Sequence, residues 1–281
     1  MIQASLKNIE QNTLNVFIFA IFCFVLIHSK YNLNMKKIEF INVDASYYKK
    51  SPIVLKNINF SIEEGEFIAI IGKSGAGKST IFNALLRQLF VKKGNVKIND
   101  IDIYRASKKQ WKAILKNIGF LSQNNNFIES LNCYENILHF YPKYKNFLFS
   151  WFHVLSKTQK QEIYEYFVKF NIFDKLFTRV DELSGGQRQR LWLILILLQK
   201  VDIILADEPT NSLDIANARD VLELLSSISQ EYKKTILVNI HDISLIKTYF
   251  KKYIYVKDGQ IIEIGETKNL NELKIKDLYN F

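Results

Sequence analysis

Residues Gly72-Lys73-Ser74-Gly75-Ala76-Gly77-Lys78-Ser79-Thr80 carry the spacing G-x-x-x-x-G-K-[ST]. The chemistry open to them is a grip on polyphosphate. Glycines let the backbone turn its N–H groups inward around phosphate oxygens, and a helix opening at Lys78 points the positive end of its dipole at the same place. Lys78 is placed to reach the β- and γ-phosphates and the Ser79 hydroxyl to ligate Mg²⁺. The motif needs a strand before it and a helix after it. The apolar, β-branched run Phe67 to Ile71 and the helical pattern from Lys78 to Phe90, with Ile81, Leu85 and Leu89 on one face, meet that requirement.

Two further stretches can do chemistry. Ile203-Ile204-Leu205-Ala206-Asp207-Glu208 is an apolar strand ending in two carboxylates. The first can hold Mg²⁺ through water and the second can orient the water that attacks a γ-phosphate. Leu183-Ser184-Gly185-Gly186-Gln187-Arg188-Gln189-Arg190 sets two glycines after a serine at a helix start. That is a second anion-binding helix N-terminus, more than one nucleotide can easily use.

The elements that must hold these residues divide into zones. Ile38 to Val43, Ile58 to Ile62 and Val96 to Ile98, with a turn at Asn99-Asp100, predict an antiparallel piece beside the phosphate loop. Ile118 to Gln123 reads as another buried strand. The stretch from about 124 to 190 turns helical and aromatic, with Thr158 and Gln161 as a capping box and an aromatic cluster from Tyr141 to Phe152. From Asp202 to Val256 strands alternate with helices (Ala216 to Ser226, Ile243 to Phe250), the pattern of a parallel sheet covered on both faces. A strand Gln260 to Ile264 and a helix capped near Asn269 with Glu272 follow. The fold class is α/β: a parallel core sheet, an antiparallel β subdomain and a helical subdomain.

Bulk properties exclude several classes. The chain has 281 residues, 48% hydrophobic and 23% charged, which suits a folded core and not a disordered chain. Its net charge of +10 comes from scattered lysines and not from a basic patch, so nucleic acid is not an expected partner. Cys23 and Cys133 form neither a disulfide framework nor a zinc site, and the four histidines lack metal-ligand spacing. The apolar run Val16 to Ile27 is shorter than the roughly 20 residues of a spanning helix. Residues 1–34 are therefore set apart as an apolar extension, with a start at Met35 or a weak anchor as the expectations, and residues 35–281 as the functional domain.

Taken together, the phosphate loop, the Leu183-to-Gln187 segment and the acidic strand about twenty residues beyond it resemble the ATP-binding-cassette (ABC) ATPases, over residues 37 to about 265. The resemblance implies the P-loop ABC ATPase fold, with ATP and Mg²⁺ as cofactors. It implies that Tyr47, with Tyr48 as a close rival, stacks on adenine, that Gln123 touches Mg²⁺, and that His241 contacts the γ-phosphate. Asp207 then takes the metal and Glu208 the catalytic role. Asn211-Ser212-Leu213-Asp214 matches the loop that crosses to a second protomer. The two anion sites then have one explanation: two copies pair head to tail, the phosphate loop of one and Ser184 to Gly186 of the other enclosing each ATP.

Leu195 stands where the family usually carries an arginine, and Ile215 where a proline often follows the loop aspartate. Arg179-Val180-Asp181-Glu182 leading into the glycine pair, and Val238-Asn239-Ile240-His241, look like the phosphonate-importer ATPases. The expectation is an ATPase subunit at the cytoplasmic face of the cell membrane, working with integral membrane permease subunits and a solute-binding protein to import a phosphonate-like or organic-phosphate solute. An amino-acid importer, a lipid or lipoprotein exporter and a non-transport scaffold ATPase are the alternatives.

Overall fold

In the computed structural model, residues 36–121, 127–141, 155–211 and 213–270 are described. β1 (Lys36–Ser46) and β2 (Leu55–Glu63) alternate buried and exposed side chains and pair antiparallel, Phe40 opposite Phe60 with their rings stacked 4.6 Å apart. β3 (Phe67–Ile71) follows and leads through the glycine loop into α1 (Lys78–Leu85). β4 (Phe90–Ile98) pairs with β1 and turns at Asn99 and Asp100 into β5 (Ile101–Asp102). Both turn residues have positive φ, 48° and 61°, the two-residue hairpin geometry that matches strand twist.

The remaining elements are α2 (Lys108–Leu115), β6 (Ile118–Leu121), α3 (Cys133–Phe140), α4 (Lys157–Lys169), α5 (Gly185–Leu198), β7 (Ile203–Asp207), α6 (Ile215–Tyr232), β8 (Thr235–Asn239), α7 (Ile243–Tyr249), β9 (Lys252–Lys257) and β10 (Gln260–Glu266). The four-stranded antiparallel sheet has the order β2-β1-β4-β5, and the six-stranded sheet the order β10-β9-β3-β8-β7-β6. Strands β9, β3, β8, β7 and β6 are mutually parallel and β10 is antiparallel at the edge. Period-two alternation along β3 sends Ile68 and Ile70 to a core shared with the antiparallel sheet, and Ala69 and Ile71 to a core shared with the helices.

Three expectations are corrected. α1 ends at Leu85 instead of running to Phe90, because Phe90 is drawn into β4 opposite Ser46. Arg87 breaks the helix at φ 54°, its guanidinium packed over the rings of Tyr104 and Trp111. Sheet pairing overrides helical periodicity there. The capping box of α4 is Ser156 with Gln159, two residues before the pair expected, since buried Leu155 anchors the chain immediately before Ser156. α6 also outruns its expected end at Ser226, burying Ile228 and Ser229, whose hydroxyl donates to the Gly65 carbonyl.

In α5, Leu191 and Leu193 to Leu198 are all buried, so the second half of this helix is apolar on nearly every side and sits inside the core. Leu195 is wholly buried there. Most of the Tyr141-to-Phe152 cluster and the helix expected around Glu272 lie outside the described residues. Among the described residues, no helix is long and apolar enough to cross a membrane.

Candidate functional site

β3 delivers the glycine loop to the carboxyl end of the parallel sheet. Sheet order and chain order part company here, since β3 lies between β8 and β9, and such switch points are where open α/β sheets bind ligands. Each glycine has its own cause. A Cβ on Gly72 would stand 2.3 Å from the Val256 carbonyl oxygen, and its φ is 149°. Gly77 is the N-cap of α1 at φ 108°, facing Gly259. Gly75 has φ 78° with open space around it, leaving its backbone free to meet a ligand. Gly72→Ala is therefore expected to remove about 3 kcal/mol or more of stability, strain and backbone overlap together, lowering Tm by roughly 6–12 °C in a thermal melt.

Lys78 is buried, and its Nζ donates to the carbonyl oxygens of Gly72 at 2.9 Å and Lys73 at 3.1 Å. Burial pushes its pKa down, while the carboxylates of Glu208 and Asp207 act in the opposite direction. Lys73, Ser74, Gly75 and Ala76 line a cleft of about 220 Å³ against Tyr255 to Asp258. Larger clefts lie around Glu66 and Lys252, at the other end of β3.

The acids meet this loop from β7. Ser79 Oγ donates to Asp207 Oδ1 at 2.9 Å across 128 residues of sequence, and Asn239 Nδ2 of neighbouring β8 donates to the same oxygen at 2.6 Å. Glu208 has a left-handed backbone, φ 51°, with its N–H on the Asn239 carbonyl at 3.1 Å. That conformation turns its side chain toward His241, whose Nε2 contacts Glu208 Oε1, while Asn211 Nδ2 donates to Oε2 at 3.2 Å. Tyr47 ends at the same loop, its hydroxyl 3.4 Å from Thr80 Oγ1 and its ring half exposed, whereas Tyr48 is more exposed still.

The donor set suits a hydrated Mg²⁺. Ser79 and Asp207 supply hard oxygens, and no group of three or more His, Cys, Asp or Glu that could enclose a metal exists among the described residues. A cation that keeps waters and takes phosphate oxygens needs no such cage. The amide oxygen of Asn239, in the strand beside Asp207, is buried and without a hydrogen-bond partner among the described residues.

The second glycine motif is built apart from this group. Ser184 caps α5, its Oγ accepting from Gln187 N at 3.3 Å and its N–H donating to Gln187 Oε1 at 3.0 Å. A Cβ on Gly185 would meet Leu213 at 3.2 Å, and one on Gly186 would meet Asn217 Oδ1 at 2.9 Å. Asn217 is held by Asp214, which caps α6, and the Asn217 N–H keeps the Asp214 carboxyl below its usual pKa. Gln123 and Ser212 lie outside the described residues. Sequence reasoning missed the hydrogen bonds of Asn211 and Asn239 to the two acids; the Asn239 motif was visible, but its partner was not.

The family model described as ABC transporter matches residues 55–211. Among curated proteins, the chain is 34% identical to the Mesomycoplasma hyorhinis protein named Probable ABC transporter ATP-binding protein p29, covering 85% of this chain and 93% of that one. It is 36% identical to the Lactobacillus gasseri phosphonates import ATP-binding protein PhnC, covering 83% and 89% respectively. Among solved structures, the dimeric ATP-binding cassette MJ0796 bound to ADP and Pi superposes with a TM-score of 0.67 at 29% identity, covering 83% of this chain and all of that one. The fold alone is shared with cbiO1 of Clostridium perfringens, at TM-score 0.73, 23% identity and coverage of 86% and 93%. Phosphate loop, paired acids and capped glycine motif thus sit on a fold shared with these cassettes, and the chain belongs to the ABC transporter family, as an ATPase subunit.

Proposed function

We propose that this subunit hydrolyses MgATP to energise import of a phosphonate-like or organic-phosphate solute. In that reading it works as a head-to-tail homodimer on the cytoplasmic face of the membrane, beneath integral permease subunits fed by a solute-binding protein. The observation that carries hydrolysis is the convergence of Ser79, Asp207, Glu208 and His241 at the carboxyl ends of β3, β7 and β8. Lys78 and the loop N–H groups bind the phosphates, and Tyr47 offers a ring to adenine. Ser79 and Asp207, with Gln123, would hold Mg²⁺, which supplies charge neutralisation on the phosphates. Glu208 takes the proton of the attacking water, and His241, against its carboxylate, keeps that water and the γ-phosphate in line. Ser184 to Gln187 of the partner copy caps the nucleotide, and Asp214 fixes the crossing loop. Loss of the γ-phosphate then loosens the pair, a ligand-driven population shift.

Support for the solute class is the likeness to proteins named PhnC, together with Val238-Asn239-Ile240-His241. The test is reconstitution in proteoliposomes with its permease and solute-binding protein. Methylphosphonate outside is expected to stimulate ATP turnover several-fold, with a mixture of amino acids inactive. Stimulation by amino acids alone would overturn the solute class, and copurification with soluble partners in place of a permease would overturn transport.

A further inference from the structure

Asn239 is a fully buried amide at the end of β8, directly after three buried apolar residues, Ile236 to Val238. A polar group in that position is stable only when hydrogen-bonded. β8 runs between β3 and β7, with Asn239 in register with Ile70 on one side and Asp207 on the other. Its Nδ2 must face the carboxylate, which can only accept, and it does so at 2.6 Å. We propose that Asn239 is a positioning residue for the cation: it fixes the Asp207 carboxylate so that the acid meets Mg²⁺ already oriented.

The inference rests on the metal role proposed for Asp207. Two donors, Ser79 Oγ and Asn239 Nδ2, share Asp207 Oδ1 and leave Oδ2 outside the pair. Were the Ser79 oxygen to ligate the cation, the metal would set the orientation of that hydroxyl. Asn239, anchored in the sheet, has no such competing duty, so it is the donor that keeps the carboxylate torsion unchanged. An oxygen already held loses less freedom on ligation, which raises affinity. Asn239 also accepts from the Glu208 N–H through its own main-chain oxygen. A side-chain substitution leaves that bond in place, so the effect on Asp207 can be read separately from the effect on Glu208.

The experiment measures ATP affinity by isothermal titration calorimetry with EDTA and again with Mg²⁺, in wild type, Asn239→Leu and Asp207→Asn. Leucine has the branched skeleton of asparagine without its polar atoms and suits a buried strand, although it is larger. Asn239→Leu is expected to bind metal-free ATP within about twofold of wild type, while the gain in affinity on adding Mg²⁺ shrinks roughly tenfold. A preserved Mg²⁺ gain overturns the proposal, and so does a fall in metal-free affinity by the same factor, which would mark a merely structural role. If Asp207→Asn also keeps the gain, it is the metal assignment of Asp207 that fails; if Asp207→Asn loses it and Asn239→Leu does not, only the inference about Asn239 fails. Should circular dichroism show Asn239→Leu unfolded, Asn239→Thr, whose shorter side chain cannot span the same distance, is judged by the same two criteria.

Discussion

Glu208→Gln is expected to lower ATP turnover by about 10²–10⁴-fold while MgATP affinity changes by no more than a few-fold. The substitution is nearly isosteric, and the amide can keep a contact with His241 and another with Asn211, so the left-handed turn after β7 should survive. What it removes is the capacity to accept a proton from water. In the proposed head-to-tail arrangement, binding without hydrolysis leaves the nucleotide between two copies. Sedimentation of the variant with MgATP should therefore show a stable dimer where wild type returns to monomer. Single-turnover kinetics at the wild-type rate would remove Glu208 from the chemistry, whatever the oligomeric state.

Lys78→Ala should have an effect of similar size on a different step. In the structure the ammonium is buried against two loop carbonyls, with Asp207 and Glu208 the charges that favour it. Phosphate oxygens would replace those carbonyls as charge-assisted acceptors, and truncating one partner of a buried pair costs roughly 2–5 kcal/mol, or about 30- to several-thousand-fold in Kd. The cleanest reading is ligand-induced stability. At about 100 times its Kd, ATP adds about 2.7 kcal/mol to wild type, roughly 5–11 °C in Tm, and at the same concentration that increment should fall to about 1 kcal/mol or less in the variant. An unaltered ATP-dependent shift would mean that the loop backbone alone holds the phosphates.

The comparison of sequence with structure follows the range of the interactions. The strand Phe67 to Ile71, the glycine loop and the helix start at Lys78 were legible because each depends on neighbours in the chain. The two-residue turn at Asn99-Asp100 was legible for the same reason. Where local signals competed, they misled. Leu89 and Phe90 continue a helical period yet lie beyond α1, because pairing of β4 with β1 outweighs it. Ser156 and Thr158 offer the same cap spacing, and only the burial of Leu155 chooses between them.

Sequence alone determined which residues could handle phosphate, metal and water, since those roles follow from side-chain type and short spacing. The tertiary structure decided how they meet. Ser79 and Asp207 stand 128 residues apart in sequence, and Glu208 and His241 stand 33 apart. They become neighbours because the order β9-β3-β8-β7 sets the carboxyl ends of β3, β8 and β7 side by side. The same order decides that Asn239, an ordinary polar residue in the linear chain, is buried between two strands with Asp207 as its hydrogen-bond acceptor. A parallel sheet has one carboxyl edge, and every strand that ends there contributes its last side chains to the same small volume.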